Sequence, residues 1–144
     1  MTSVATNQGH VIMAALIKVI QDNKQYLSDI DGLIGDGDHG VNMNKGFTLC
    51  QEELGNEPCD LSQGLKTLYL VLMNQIGGSM GPLYGMFFKA MAKACKGKED
   101  LDAALFGQML SLAKDKVLDI SGAQPGDKTL LDTLVPAQEA YQSA

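Results

Sequence analysis

The stretch Asp31-Gly32-Leu33-Ile34-Gly35-Asp36-Gly37-Asp38-His39-Gly40-Val41 organises the chain. The carboxylates of Asp31, Asp36 and Asp38 fall within it, with glycines between them and a histidine directly after. Glycine admits backbone paths closed to other residues, so Gly35 and Gly37 predict a tight turn that points carboxylates inward. Hard oxygen ligands converging on one point suit Mg2+ or Ca2+. An EF-hand is a poor description, because position 42, twelfth from Asp31, is Asn42 rather than a carboxylate. The plainer alternative is an acidic turn between two helices.

Amphipathic helical patterns lie on either side of this loop. Upstream, over residues 6–27, Val11, Ile12, Ala15, Leu16, Val19, Ile20 and Leu27 repeat near every 3.6 residues and predict one helix. His10 at its start reads as an ordinary surface or capping histidine. Downstream, Val41, Met43, Phe47, Cys50 and Leu54 predict a helix from about His39 to Gly55. A third helix, capped by Asp60 or Ser62, carries Leu65, Leu68, Tyr69, Leu72, Met73 and Ile76 and stops at Gly77-Gly78. A fourth opens at Gly81-Pro82, where proline suits an early helical position, and carries Leu83, Phe87, Ala90, Met91 and Ala94. Glu99 and Asp100 start a fifth, with Leu101, Leu105, Met109, Leu112 and Val117, their charge suiting the helix dipole. Ser121-Gly122-Ala123-Gln124-Pro125-Gly126-Asp127-Lys128-Thr129 feeds a sixth through Leu130, Leu134, Ala137 and Tyr141, which Pro136 is expected to kink or restart. No β-type alternation appears. The expected fold is all-α, an antiparallel up-and-down bundle of about six helices in one domain over residues 1–144.

Composition narrows the functional classes. The chain has 144 residues, 45% of them hydrophobic, enough for a core. A net charge of −6 and no basic run argue against nucleic acid as a partner. Cys50, Cys59 and Cys95 are scattered and form no CxxC pair, so they read as reduced thiols. No apolar run approaches a membrane span, and MTSVATNQGH is not a signal peptide. We therefore expect a cytoplasmic protein with no membrane partner.

The three loops make one geometric expectation. Alternate connections of an up-and-down bundle lie at the same end. The aspartate loop, the Gly77 loop and the Gly122 loop are alternate connections, so they should share one rim. Carboxylates there can hold a cation, and exposed N–H groups at a helix start bind phosphate. Mg2+ keeps few protein ligands and takes others from phosphate and water. The residues by themselves thus suggest a Mg-nucleotide site on the end of a helical bundle.

Three motifs carry a family resemblance. They are Ile34-Gly35-Asp36-Gly37-Asp38-His39-Gly40-Val41-Asn42-Met43 with Lys45-Gly46-Phe47, then Gly77-Gly78 with Gly81-Pro82-Leu83-Tyr84-Gly85, then Pro125-Gly126-Asp127-Lys128-Thr129 with Asp132 and Pro136-Ala137. In this order and spacing, over about residues 8–140, the chain resembles the nucleotide-binding L subunits of dihydroxyacetone kinases. His39 favours that branch over the fatty acid kinase relatives, which usually have threonine there.

The resemblance implies a helical barrel, eight helices in the complete family fold, with ADP or ATP at its rim. Asp31, Asp36 and Asp38 would hold two Mg2+ ions bridging the phosphates. His39, Gly40, Val41 and Asn42 would touch the phosphates and neighbouring groups. Gly77, Gly78, Ser79 and Met80 would present backbone donors and the Ser79 hydroxyl. Ser121, Gly122 and Leu130 would lie near the adenine or ribose, with Gly126, Asp127, Lys128 and Thr129 shaping that wall. Asp127 reads otherwise as a helix N-cap, and Lys128 equally as half of a loop-end salt bridge. No side chain here would be a covalent nucleophile. The implied chemistry is phosphoryl transfer to a short hydroxyketone held on a histidine of a separate K subunit. The donor would be a phosphohistidine of an M subunit in the version linked to the phosphotransferase system, which a free-standing chain favours, or ATP in the other. A homodimer stays open.

Two departures from the family pattern bear on this. Ser79-Met80 stands where the family usually has Ala-Ser. The family also continues past the position of Ala144 with two more helices and an arginine-bearing segment that covers the nucleotide. The chain is thus expected to be C-terminally incomplete, and by itself to bind nucleotide weakly and transfer phosphate poorly. The alternatives are an ATP-dependent kinase subunit for a related ketose, or a non-catalytic module that docks on a partner or regulator.

Overall fold

The computed structural model describes residues 2–144, and helices dominate it. They are α1 (Gly9–Asp22), α2 (Lys24–Asp31), α3 (His39–Leu54), α4 (Leu61–Gln75), α5 (Met80–Cys95), α6 (Ala103–Ser121) and α7 (Leu131–Ser143). From α3 onward each packs on the next through a short connection, as antiparallel neighbours do. α1 lies against α3 and α4, and α2 against α3. The expected all-α bundle is therefore what forms. Among the described residues, no helix is long and apolar enough to cross a membrane.

The main core lies under α1, α3, α4, α5 and α6 and is built on Met13, Ile17, Phe47, Leu68, Leu72 and Met109. A smaller cluster of Val117, Leu131 and Leu134 joins α6 to α7. Phe47 and Phe88 meet edge to face at 6.0 Å across the main core, a favoured aromatic geometry. Methionines fill it at Met13, Met43, Met91 and Met109.

Several expectations need correction. The single helix over residues 6–27 is broken. A 3-10 turn covers Thr6–Gln8, and Asn23, with φ −106° and ψ 12°, separates α1 from α2. The Asn23 side-chain amide donates to the Val19 carbonyl at 2.8 Å, so the side chain competes with the helix ladder. The buried stripe of α1 runs through Gly9, Met13 and Ile17, while Val11 and Val19 face solvent.

Asp60, not Ser62, caps α4. Its carboxylate accepts from the Gln63 N–H at 2.8 Å, and the Gln63 side chain answers to the Asp60 N–H in a capping box. Ser62 instead donates its hydroxyl to the Ala92 carbonyl on α5.

The expected start of the fifth helix at Glu99-Asp100 is a strand. Asp100–Asp102 pairs antiparallel with Ser3–Ala5, Val4 opposite Leu101, and α6 begins only at Ala103 under an Asp102 cap. The Thr6 hydroxyl is shared between the Lys98 and Glu99 carbonyls and anchors the pair. Such short strands, distant in sequence, carry no periodicity to read. Pro136 lies inside α7, and the helix neither stops nor restarts there.

Candidate functional site

The aspartate loop folds back on the end of α2. Asp31 is the last residue of that helix, and its carbonyl accepts from the N–H groups of Ile34 at 3.2 Å and Gly35 at 2.6 Å. Its carboxylate accepts from the His39 N–H at 3.2 Å, where α3 starts. Asp36 accepts from the Asp38 N–H at 3.4 Å, and Asp38 from the Asn42 amide at 3.1 Å. Ser28 accepts from the Val41 N–H at 3.2 Å. These bonds turn three carboxylates towards one point, where an oxygen of each lies within 4.8 Å of the others.

Close helix approach makes this geometry. A Cβ on Gly40 would lie 1.8 Å from the Lys24 carbonyl, so only glycine lets α3 start against the head of α2.

The electrostatics follow from the crowding. A carboxyl–carboxyl hydrogen bond with Asp38, reinforced by the Asp38 backbone N–H, holds Asp36 below the ordinary carboxylate range. The same bond pushes Asp38 up, and desolvation and the charges of Asp36 and Asp31 add to it. A cation placed between the two carboxylates would relieve this crowding of negative charge. The donor set is oxygen only, and its spread matches one hard divalent ion or two adjacent ones.

The other two loops lie at the same end. The His39 ring is 6.0 Å from the Tyr84 ring of α5, which ties the aspartate loop to the Gly77 loop. A cavity of about 510 Å³ then joins the Gly77 loop to the Gly122 loop. Ser79, Pro82, Leu83, Ser121, Thr129 and Leu130 are among the residues that line it. Gly77 and Gly78 are exposed, and Ser79 occupies the N-cap of α5 without a side-chain cap bond. The first N–H groups of α5 are thus open to an anion at this end. Met80 is half-buried, and its side chain packs on the main core.

Gly122 closes α6 in the left-handed conformation, and Ser121 accepts from the Ala123 N–H at 3.2 Å. Asp127 caps no helix. It accepts from the Gln124 N–H at 2.9 Å within its own turn, and Leu130 stands at the N-cap of α7. Lys128 has φ +62° and makes no ion pair among the described residues.

Tyr84 and Asp132 belong to the motifs that carry the resemblance but have no role there that the pattern alone assigns, and Ser28 lies outside those motifs. Burial pushes the Tyr84 phenol up, and Asp132 accepts from the Gly126 N–H at 2.5 Å to hold the third loop. Ser28 carries no motif signal, since its role depends on α2 meeting α3.

Residues 33–144 match the DAK2 domain model. The chain is 35% identical over 127 residues to the PEP-dependent dihydroxyacetone kinase, ADP-binding subunit DhaL, of Escherichia coli, covering 88% of this chain and 60% of that protein. It is 39% identical over 115 residues to the PTS-dependent counterpart of Lactococcus lactis, covering 78% of this chain and 57% of that protein. Human triokinase/FMN cyclase is 29% identical over 141 residues, 96% of this chain and 24% of that protein. The chain thus spans about 60% of the length of the bacterial subunits it matches. The match begins inside the aspartate loop and runs through the third loop, and the chain belongs to the DAK2 domain family.

Proposed function

We propose that this chain is the nucleotide-binding part of a dihydroxyacetone kinase. It would hold ADP or ATP with Mg2+ and work with a partner that carries the hydroxyketone. The observation that carries this reading is the meeting of three unlike features at one end. A carboxylate cluster, an open helix N-terminus and a mostly apolar cavity lie at the same end. Those three features suit phosphate-bound metal, phosphates and base respectively.

In this reading Asp31, Asp36 and Asp38 hold two Mg2+ ions, which would neutralise phosphate charge. His39, Gly40, Val41 and Asn42 border the phosphates from the start of α3. Gly77, Gly78, Ser79 and the N–H of Met80 receive them at the start of α5. Ser121, Gly122 and Leu130 border the base and ribose. The chain offers no nucleophile, and its contribution is positioning and charge balance. Relatives named as PEP- or PTS-dependent ADP-binding subunits favour a bound ADP rephosphorylated by a phosphohistidine protein.

Leu33 and Ile34 project from the aspartate loop, 83% and 100% exposed. Apolar side chains left bare beside a charged cluster fit a seat for the K subunit, which would bring the acceptor to the phosphates and exclude water.

Calorimetric titration with ADP tests the reading. Binding should require Mg2+ and vanish in the Asp36→Ala, Asp38→Ala double variant, with helical content unchanged. No binding with Mg2+, or equal binding without it, would overturn the proposal.

A further inference from the structure

Towards the opposite end of the bundle, α5 carries a group of lysines. Lys89, Lys93 and Lys96 stand at i, i+4 and i+7, a single stripe that runs along α5 and just past its end. It extends over about 10 Å at 1.5 Å per residue. α4 runs alongside and sets Lys66 and Tyr69 across from it. A cleft of about 520 Å³ between the two helices is lined by Ser62, Gln63, Lys66, Tyr69, Lys93 and Lys96 among others. The Lys89 ammonium lies 6.0 Å from the centre of the Tyr69 ring.

These lysines have no carboxylate partner. Among the described residues, the ion pairs are Lys18 with Asp22 and Lys114 with Asp115. Like charges at i and i+4 on a helix repel. The chain has 17 acidic residues against 11 basic ones, yet four of those 11 are grouped here unpaired. The nearby acids are otherwise placed. Asp60 lines the cleft, but its carboxylate caps α4 through the Gln63 N–H. Asp115 and Asp119 of α6 share the adjoining groove with Lys93 without pairing to it.

We propose that this cleft docks an acidic peptide segment of a partner protein, at the end of the bundle away from the aspartate rim. The charge is complementary and the shape is linear. An extended peptide rises about 3.3 Å per residue, so the stripe matches three or four residues with acidic side chains. The lysines line a cleft between two helices, which suits a narrow chain better than a flat membrane surface. The inference stands apart from the nucleotide reading, because it uses none of the rim residues.

The test is fluorescence anisotropy of a labelled Asp/Glu octapeptide with the full chain. The peptide should bind at about 50 mM salt and weaken steeply by about 300 mM, as screening requires. The Lys89→Gln, Lys93→Gln, Lys96→Gln triple variant should lose at least about tenfold in affinity, and the matching triple arginine variant should keep it. Lys93→Glu alone should weaken binding in the same direction. Mg-ADP titration of the same proteins should be unchanged, which separates this result from the fate of the rim reading. No saturable binding by the native chain, or equal binding by the glutamine variant, would overturn the proposal. So would displacement of the peptide by tripolyphosphate or phosphatidylserine vesicles at lower concentration than by unlabelled peptide. That outcome would assign the cleft to phosphate or to a membrane.

Discussion

The His39 imidazole and the Tyr84 phenol ring lie 6.0 Å apart and tilted by 55°. One starts the helix behind the aspartate loop, and the other stands in the second turn of α5. Their contact joins two loops distant in sequence. Tyr84→Phe keeps the ring and should leave Mg-ADP affinity unchanged in calorimetry. Tyr84→Ala should weaken that affinity and cost about 2 kcal/mol of stability in urea unfolding. An alanine variant with native affinity would remove Tyr84 from the site.

The Asp36–Asp38 pair gives a pH prediction with a definite sign. The Asp38 pKa is raised in the folded state, so its contribution to stability is present below the unfolded value of 3.8 and lost as pH rises through the folded value. Asp36, lowered, acts in the opposite sense. Above its raised value the ionised Asp38 therefore opposes closure of the metal-free loop. Asp38→Asn should raise the metal-free Tm while abolishing the further rise on adding Mg2+. Mg2+ affinity of the native chain should fall as pH drops through the raised Asp38 value. Scanning calorimetry over a pH series, with and without Mg2+, checks both.

Gly40 tests the architecture behind the metal site. Gly40→Ala places a methyl where the Lys24 carbonyl lies, so α2 and α3 must part. We expect a loss of about 1–3 kcal/mol in chemical denaturation, with weaker Mg2+ binding. Asp60→Ala is the matched control. It removes the α4 cap at about 1 kcal/mol and should leave Mg-ADP affinity intact, since Asp60 lies at the other end.

Leu33 and Ile34 separate nucleotide binding from transfer. Leu33→Ser with Ile34→Ser should leave ADP binding and Tm unchanged, because both side chains are exposed. Phosphoryl transfer to hydroxyketone in the presence of a K subunit should fall. Unimpaired transfer would place the partner elsewhere.

The thiols should react in a fixed order. Burial, with the charge of Glu53 adding, pushes the Cys50 thiol up to about 12, and Cys95 is also buried. Alkylation of the native chain at about pH 8 should reach Cys59 first and the other two only on unfolding. Peptide mapping by mass spectrometry reads this out.

The sequence by itself determined the helices, the three loops and the residues most open to chemistry. The α3, α4 and α5 patterns placed Phe47, Leu68 and Met91 correctly in the core. Helical periodicity and glycine placement are local, so one chain segment carries them. Asp31, Asp36 and Asp38 were legible because they are crowded in sequence as well as in space. Tertiary contact decided the rest. Val11 and Val19 share α1's apolar character but face water, because α3 and α4 pack on Met13 and Ile17 instead. Ser3–Ala5 becomes a strand only because Asp100–Asp102 lies beside it. Ser28 and Tyr84 enter the site only because α2 meets α3 and α3 meets α5. Each of these depends on which surface a neighbour covers, and that choice is settled by burial across the whole chain rather than by any stretch of it.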